Sequence, residues 1–184
     1  MDVQQFFLDL GLPPALVVII VAALPVVELR GAIPLAINVL DMPWYNAFVL
    51  AVIGNILPVP FILRLLNWLV GILGRYPFFS RFFDWLFTRT RARSGLIERY
   101  RNPGLALFVA VPLPLTGAWT GAVAAVLLGT PFRDALWYIF LGVVMAGMIV
   151  TALSLMGWWG AIVAGVVLSA LLMAGTLRRR NPRP

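Results

Sequence analysis

The sequence predicts an all-α integral membrane protein made of two inverted repeats. Each repeat is expected to be a re-entrant broken-helix hairpin plus a transmembrane helix, with a C-terminal transmembrane helix and interfacial amphipathic helices completing the fold. The first reason is composition: 62% of the 184 residues are hydrophobic, 11% are charged, and the mean hydropathy is +0.97. The second is that Pro and Gly interrupt some apolar segments and spare others. The third is that most basic residues cluster outside the apolar segments.

The composition excludes several classes of function. Soluble domains are about half apolar and one quarter charged, so this chain could not cover its surface with polar groups in water. It contains no Cys and no His, and all 14 basic residues are Arg. Disulfides, zinc or haem sites built on Cys or His, and catalysis by Cys, His or Lys are therefore excluded. We expect no cofactor, no metal and no enzymatic activity, and we read the net charge of +7 as membrane topology rather than nucleic-acid binding.

The first ten residues predict a short interfacial helix rather than a signal peptide. They contain Asp2 and Asp9 and no basic residue, the opposite of a positive n-region. Apolar side chains recur at helical spacing along one face: Val3, Phe6, Phe7 and Leu10.

Repeat 1 covers about residues 14–70. It opens with the apolar segment from Pro14 to Leu40, which carries two charges near its centre. The segment from Trp44 to Leu63 is a span candidate that ends at Arg64. We expect this span to be kinked, because it contains several helix-breaking or polar residues. They are Gly54, Asn55, Pro58 and Pro60.

A cytoplasmic Arg-rich linker, residues 71–102, separates the two repeats. It holds seven Arg and two acidic residues. An apolar stripe within it predicts another interfacial helix. The stripe consists of Phe79, Phe82, Phe83 and Leu86.

Repeat 2 covers about residues 103–156, and a C-terminal span covers residues 158–177. The segment from Pro103 to Gly129 is apolar but interrupted by "VPLPLTGAWTG". The segment from Ala135 to Met156 is a clean span of suitable length. We take residues 1–184 as a single membrane domain.

An internal repeat at an offset of 88 residues supports this division. "MPWYNAFVLAVIG" at 42–54 aligns with "TPFRDALWYIFLG" at 130–142, so Pro43 matches Pro131 and Gly54 matches Gly142. Such positions carry more weight than Ala or Leu matches in an apolar chain. The same offset aligns the two interrupted segments with each other.

The distribution of Arg favours re-entrant hairpins over single crossings. If the linker is cytoplasmic and both broken segments are re-entrant, the C-terminal span returns "RRR" at 178–180 to the cytoplasm, as the positive-inside rule requires. If each broken segment crossed once, that tail would end on the opposite side. Two full crossings would need about 40 residues. We therefore expect a multi-pass protein of the inner (cytoplasmic) membrane, with linker and C-terminus cytoplasmic.

Glu28 and Arg30 are the first candidates for a functional site. A charge at bilayer depth costs roughly 2.5–3.5 kcal/mol on insertion scales, so two charges in this segment need an explanation. They could form an ion pair that only stabilises the hairpin tip, or a substrate- or proton-binding site. Positions i and i+2 do not face each other in a helix, whereas they can in a tip.

Gly31 and Pro34 follow the charges. Pro34 suits the first turn of a returning half-helix, where its missing N–H costs nothing. The free N–H groups of that turn, beside Arg30, would attract a phosphate or carboxylate headgroup. The alternative is that Pro34 only shapes the turn.

"VPLPLTGAWTG" supplies the candidates on the second segment. Pro112 and Pro114 prevent a regular helix, and Gly117 and Gly121 allow close helix approach. The Thr116 and Thr120 hydroxyls could cap a half-helix or contact a ligand. Trp119 could be an aromatic wall of the site or an interface anchor. Asn55 in the preceding repeat is either another site residue or a hydrogen bond between helices.

"ELRGAIPLAI", "GNILPVP" and "FVAVPLPLTGAWTGAVAAVLLG" resemble the motifs of the small multidrug export family of bacterial and archaeal membrane proteins. The resemblance runs from about Ala23 to Ala152. The paired broken segments are also similar to the wider DedA superfamily, whose re-entrant hairpins carry an acid and an Arg. That similarity implies lipid translocation, carrier-lipid recycling, drug tolerance or maintenance of the proton-motive force. The chain departs from the DedA pattern, because Thr116 and Thr120 stand where an Arg is expected.

The first functional hypothesis is a secondary transporter with a midplane site lined by Glu28, Arg30 and residues 112–120. Its substrate would be amphiphilic, either a drug-like cation paired by Glu28 or a lipid-type headgroup held by Arg30, with proton coupling through Glu28 as an option. Arg30 and the basic cytoplasmic face favour the anionic headgroup. The alternatives are a DedA-like lipid translocase or scramblase, and a non-transporting scaffold. Membrane lipids are expected partners, and so small a carrier could form a homodimer.

Overall fold

The computed structural model describes residues 11–73, 103–111, 116–157, 159, 160, 162, 165 and 166. Over these ranges the chain forms α-helices and turns, without a β-strand. The helices are α1 Pro14–Ala23, α2 Glu28–Asn38, α3 Trp44–Ile56, α4 Val59–Leu73, α5 Ala118–Leu127 and α6 Phe132–Leu155, and residues 103–110 are also helical. The expected interfacial helices, most of the Arg-rich linker and most of the C-terminal span lie outside the described residues.

Two helical stretches are long and apolar enough to cross a membrane. They are Trp44–Ile72, with 29 residues, and α6, with 24 residues. The predicted spans in both repeats are thereby confirmed as helices. The predicted end of the first span at Arg64 is wrong, since α4 continues to Leu73. Arg is a good helix former, and the Arg64 guanidinium lies 4.9 Å from the centre of the Phe132 ring, in a cation–π contact.

The predicted kink within the first span is confirmed. Helix α3 ends at Ile56 and α4 begins at Val59, with Leu57 and Pro58 between them. Pro58 has no N–H to donate, and its ring would clash with the carbonyl group four residues earlier. The helix is therefore interrupted here and is regular on both sides.

Both interrupted segments are broken helices, as predicted. In the first, α1 and α2 are separated by a turn at 24–27, and they pack against each other and against α3. In the second, the helix at 103–110 ends before α5 begins at Ala118. A Cβ added at Gly121 would lie 2.5 Å from Cγ2 of Val109, so the glycine brings the two halves of the second segment close together.

Two glycines also allow the spans to pack closely against the broken segments. Gly54 of α3 lies directly against Ile19 and Ala22 of α1. Gly142 of α6 packs in the same way on the helix at 103–110, where an added Cβ would lie 2.6 Å from the Ala106 carbonyl oxygen. Each span is thus fixed to the first half of the segment that precedes it.

The second half of α6 contacts the beginning of α3. Gly147, in the second half of α6, lies against Phe48, near the start of α3; an added Cβ would be 2.8 Å from Cε2 of Phe48. A late residue of one helix therefore meets an early residue of the other. Arg64, late in the Trp44–Ile72 stretch, contacts Phe132 at the start of α6, so the two contacts together indicate that the spans run in opposite directions.

The turns that lead into the two spans have similar backbones. Asp41 has φ 48 and Gly129 has φ 63. Each is followed two residues later by the proline that precedes the span, Pro43 or Pro131. The left-handed conformation suits glycine, whereas aspartate tolerates it at some cost.

We expect Asp41→Gly to stabilise the protein. The substitution removes left-handed strain, offset in part by the greater freedom of glycine in the unfolded chain, so the gain is up to about 1 kcal/mol, or about 2–4 °C in melting temperature. Thermal unfolding in detergent measures it, with Gly129→Ala as the reverse change, expected to destabilise. A lower melting temperature for Asp41→Gly would mean that the Asp41 carboxylate itself stabilises the turn.

Candidate functional site

Glu28 is the first residue after the break in the first segment. It begins α2 with φ 51, and its side chain is buried, with 5% exposed. The backbone N–H groups of Ala118 and Trp119 donate hydrogen bonds to its carboxylate. Those N–H groups belong to the first turn of α5, where the Gly117 N-cap provides no side-chain hydrogen bond. An acid of the first segment therefore caps a helix of the second.

Gly117 makes this capping contact sterically feasible. A Cβ added at Gly117 would overlap both carboxylate oxygens of Glu28. The glycine is required here by the close approach of Glu28. Gly117 was predicted to allow close helix packing, and its side-chain-free surface instead contacts the Glu28 carboxylate.

Arg30 binds the same part of the second segment. Its Nη2 donates to the Thr116 carbonyl oxygen and to Thr116 Oγ1, the latter at 3.1 Å. Thr116 Oγ1 in turn donates to the Val111 carbonyl oxygen at 2.7 Å. Thr116 thus ties the end of the helix at 103–110 to Arg30. Glu28 and Arg30 also attract each other electrostatically.

Trp119 returns a hydrogen bond to the first segment. Its indole Nε1 donates to the carbonyl oxygen of Ala23, the last residue of α1, at 3.1 Å. Carbonyl groups at a helix C-terminus lack intrahelical donors, and none is supplied by water within a hydrocarbon layer. Each broken segment thus supplies a partner for a helix end of the other.

The predicted position of Pro34 in its helix is wrong. Helix α2 begins at Glu28, so Pro34 lies in the helix interior rather than in the first turn. Pro34 therefore has no N–H to donate to the Arg30 carbonyl group. Pro25, in the turn at 24–27, is the proline that accompanies the break, and it is the signal that would have placed the helix start correctly. The anion site predicted at a helix start near Pro34 is consequently not formed there.

Among the described residues, Asn55 makes no interhelical hydrogen bond, which was one of the two roles predicted for it. Its side chain is buried, with 1% exposed, and neither its Oδ1 nor its Nδ2 has a hydrogen-bond partner among the described residues. The described hydrogen bonds also do not connect Asn55 to Glu28 or Arg30. That expectation fails because a sequence shows that an amide is buried but not which groups face it.

The remaining candidates flank the central contacts. Thr120 Oγ1 donates to the Gly117 carbonyl oxygen at 3.3 Å, within the first turn of α5. A Cβ added at Gly31 would clash with the Val27 side chain, so Gly31 keeps the start of α2 compact. Pro112 and Pro114 lie outside the described residues. Glu28, Arg30, Thr116 and Trp119 are the predicted residues that the structure brings together, and we call them the interlock.

The chemistry of the interlock is that of a hydrogen-bonded charge pair at two helix ends. Most of its groups are donors: the Arg30 guanidinium, two backbone N–H groups and the Trp119 indole. The Glu28 carboxylate accepts from the two backbone N–H groups, whereas the Arg30 guanidinium donates to Thr116 and the Trp119 indole donates to Ala23. Over the described part of the chain, no three acidic, His or Cys side chains are close enough to hold a metal ion.

Over the described residues the chain is helical, with two stretches long and apolar enough to cross a membrane and the Glu28 side chain buried between the two broken segments. Residues 28–149 match the family described as "putative small multi-drug export protein". The match covers more than half of the chain, so the chain belongs to this family, as the resemblance of its motifs predicted. No curated protein and no solved structure matches the chain. The match begins at Glu28 and includes every residue of the interlock.

Proposed function

We propose that the protein is a secondary transporter that moves an amphiphilic substrate with an anionic headgroup across the inner membrane. The family description, an export protein, supports the transporter. The observation that carries the proposal is the interlock, in which Glu28 and Arg30 lie between the breaks of two helical segments. Charged residues inside membrane segments mark substrate or proton pathways by default. Breaks in membrane helices supply backbone groups that can bind ions and headgroups.

Two inverted repeats form the transport unit in this proposal. Helices α3 and α6 begin 88 residues apart, at Trp44 and Phe132. Gly54 and Gly142, also 88 residues apart, pack on the first half of their own segments. The opposite directions of α3 and α6 support the inverted relation between the two. Re-entrant broken segments then place both breaks near the bilayer midplane, with the Arg-rich linker and the C-terminus in the cytoplasm.

The donors of the interlock favour an anionic headgroup over a cationic drug. A phosphate accepts hydrogen bonds from the kinds of donor present in the interlock: helix N-terminal N–H groups, which now bind Glu28, and a guanidinium, which now binds Thr116. A drug-like cation would need the Glu28 carboxylate, which is already engaged with α5. Glu28 is also the acid that we propose for proton coupling, with Arg30 as the charge beside it.

Transport assays in proteoliposomes test this function. We expect the wild-type protein to move a fluorescent phosphatidic acid between leaflets, as measured by dithionite quenching, and Arg30→Gln to slow this movement at least tenfold. Arg30→Lys should restore part of the rate, because it keeps the charge without the guanidinium fork. Arg64→Gln is the matched control, since Arg64 also lies on an apolar helix but contacts Phe132 instead of the interlock.

Three other outcomes would redirect the proposal. Movement of a cationic dye that depends on Glu28, with no movement of the anionic lipid, would favour drug export. Movement of all lipids at the same rate in every variant would indicate a scramblase without an Arg30 site. No movement of lipid or dye by the wild type would favour the non-transporting scaffold. Proton coupling requires that an imposed pH gradient accelerates the wild type and not Glu28→Gln.

A further inference from the structure

The backbone of Glu28 is in a conformation that its side chain disfavours. Glu28 has φ 51 and is almost fully buried. A non-glycine residue keeps a left-handed φ only where the surrounding contacts hold it, and such residues concentrate at switches and binding sites. Asp41 has nearly the same angle, φ 48, but lies exposed in a turn. Asp41 is thus an ordinary turn residue, whereas Glu28 is held in this conformation by contacts to a distant segment.

The Glu28 carboxylate is held by groups of the second broken segment, while the Glu28 backbone N–H donates to the Leu24 carbonyl oxygen at 3.1 Å and Arg30 attracts the carboxylate electrostatically. The carboxylate accepts from the Ala118 and Trp119 N–H groups, and Gly117 leaves room for it. Helix α5 has no side-chain cap of its own at its N-cap residue. If the two segments separated, the first N–H groups of α5 would need water or a ligand in place of Glu28. The first N–H groups of α5 would then bind the Glu28 carboxylate in one state and an incoming hydrogen-bond acceptor in the other.

We infer that Glu28 is a latch, whose carboxylate holds the two broken segments together by capping α5 and whose release lets them separate. The hydrogen bond from Trp119 to the Ala23 carbonyl oxygen also holds the two segments together, and it forms when the latch is closed. The inference rests on the proposed function, because separation would open the interlock to the substrate. The state described here is the latched one.

Cysteine labelling tests the latch without any substrate. The chain contains no Cys, so Thr120→Cys introduces a single, nearly isosteric reporter in the first turns of α5, where Thr120 is half-buried. Two different changes should release the latch: Glu28→Gln removes the charge, and Gly117→Ala keeps Glu28 but displaces its carboxylate. We expect a water-soluble maleimide to label the reporter at least tenfold faster in both variants than in the parent protein in proteoliposomes.

Two controls make the test specific. Asp41→Asn neutralises an exposed acid of similar backbone conformation and should leave the labelling rate unchanged. Ser154→Cys, a second reporter buried in α6, should stay protected in all variants. Unchanged labelling at position 120 in both release variants would overturn the latch. Equal acceleration at positions 120 and 154 would also overturn it, because that result describes general loosening.

Amide hydrogen exchange gives an independent readout. Release should speed exchange at the N–H groups of Ala118 and Trp119, while the Gly121 N–H, bonded to the Gly117 carbonyl oxygen at 2.8 Å, stays protected. If the labelling and exchange results hold but no lipid moves, the latch stands and the proposed function fails. If lipid moves in an Arg30-dependent way but release changes neither readout, the proposed function stands and the latch fails.

Discussion

Glu28→Ala should lower the free energy of unfolding by about 3–5 kcal/mol, the largest effect that we expect from a single substitution. Removing one partner of a buried charged contact leaves the other groups desolvated and unpaired. Here two N–H groups of α5 lose their acceptor, and the Arg30 guanidinium keeps its hydrogen bonds to Thr116 but loses the opposite charge beside it. The double variant Glu28→Ala/Arg30→Ala should be more stable than the sum of the two single losses predicts, because it removes the unbalanced charge.

Unfolding in mixed micelles, followed for the four proteins of this double-mutant cycle, measures the coupling between the two residues. Asp134→Ala is the matched control, since Asp134 also lies in the first turn of a helix but serves its own helix, α6. Its loss should cost about 0.3–1 kcal/mol. Equal losses for Glu28 and Asp134 would show that the Glu28 contact to α5 contributes no more than an ordinary helix-end charge.

Replacing Gly54 or Gly142 with Ala should destabilise the protein by about 1–3 kcal/mol, the second largest effect. The new methyl group would meet backbone atoms of Ile19 in one case and of Ala106 in the other, and backbone cannot move aside as a flexible side chain can. The helix propensity of Ala, a gain of about 1 kcal/mol over Gly, offsets only part of this cost.

Gly71→Ala provides the control for the glycine substitutions. Gly71 lies in α4, and an added Cβ there would meet nothing within 4 Å. This variant should therefore be as stable as the wild type or more stable, by up to about 1 kcal/mol. The melting temperatures of the three variants, measured in the same detergent, test whether Gly54→Ala and Gly142→Ala are less stable than Gly71→Ala. If Gly54→Ala and Gly142→Ala were as stable as Gly71→Ala, the spans would not be seated against the broken segments.

The helices and their breaks could be predicted because their signals are local. Length and apolarity identify the spans, and Pro58 marks the kink within the first of them. The end of that span was missed because Arg64 was read as a membrane boundary. Its contact with Phe132 joins residues far apart in the chain, and no local pattern indicates it.

The sequence predicted that charged and polar residues of the two breaks lie close together, and it did not predict the contacts that connect them. The sequence identifies Glu28, Arg30, Thr116 and Trp119 as unusual residues in an apolar chain. Their partners include main-chain groups, such as the Ala23 carbonyl group and the N–H groups of α5, which are present at nearly every residue and carry no sequence signal. The position of Pro34 was missed because proline is common both at helix starts and, in membrane helices, within them.

Each broken segment provides a hydrogen-bond partner for a helix end of the other, and this has a consequence for the order in which the segments fold during synthesis. A ribosome that has translated α1 to α4 has delivered Glu28 to the membrane, but about ninety residues separate that acid from the N–H groups it caps. Until Trp119 emerges, the carbonyl group of Ala23 has no indole donor either. We therefore expect the first broken segment to reach its final depth only after the second segment has been made, because unpaired backbone groups are costly in a hydrocarbon layer.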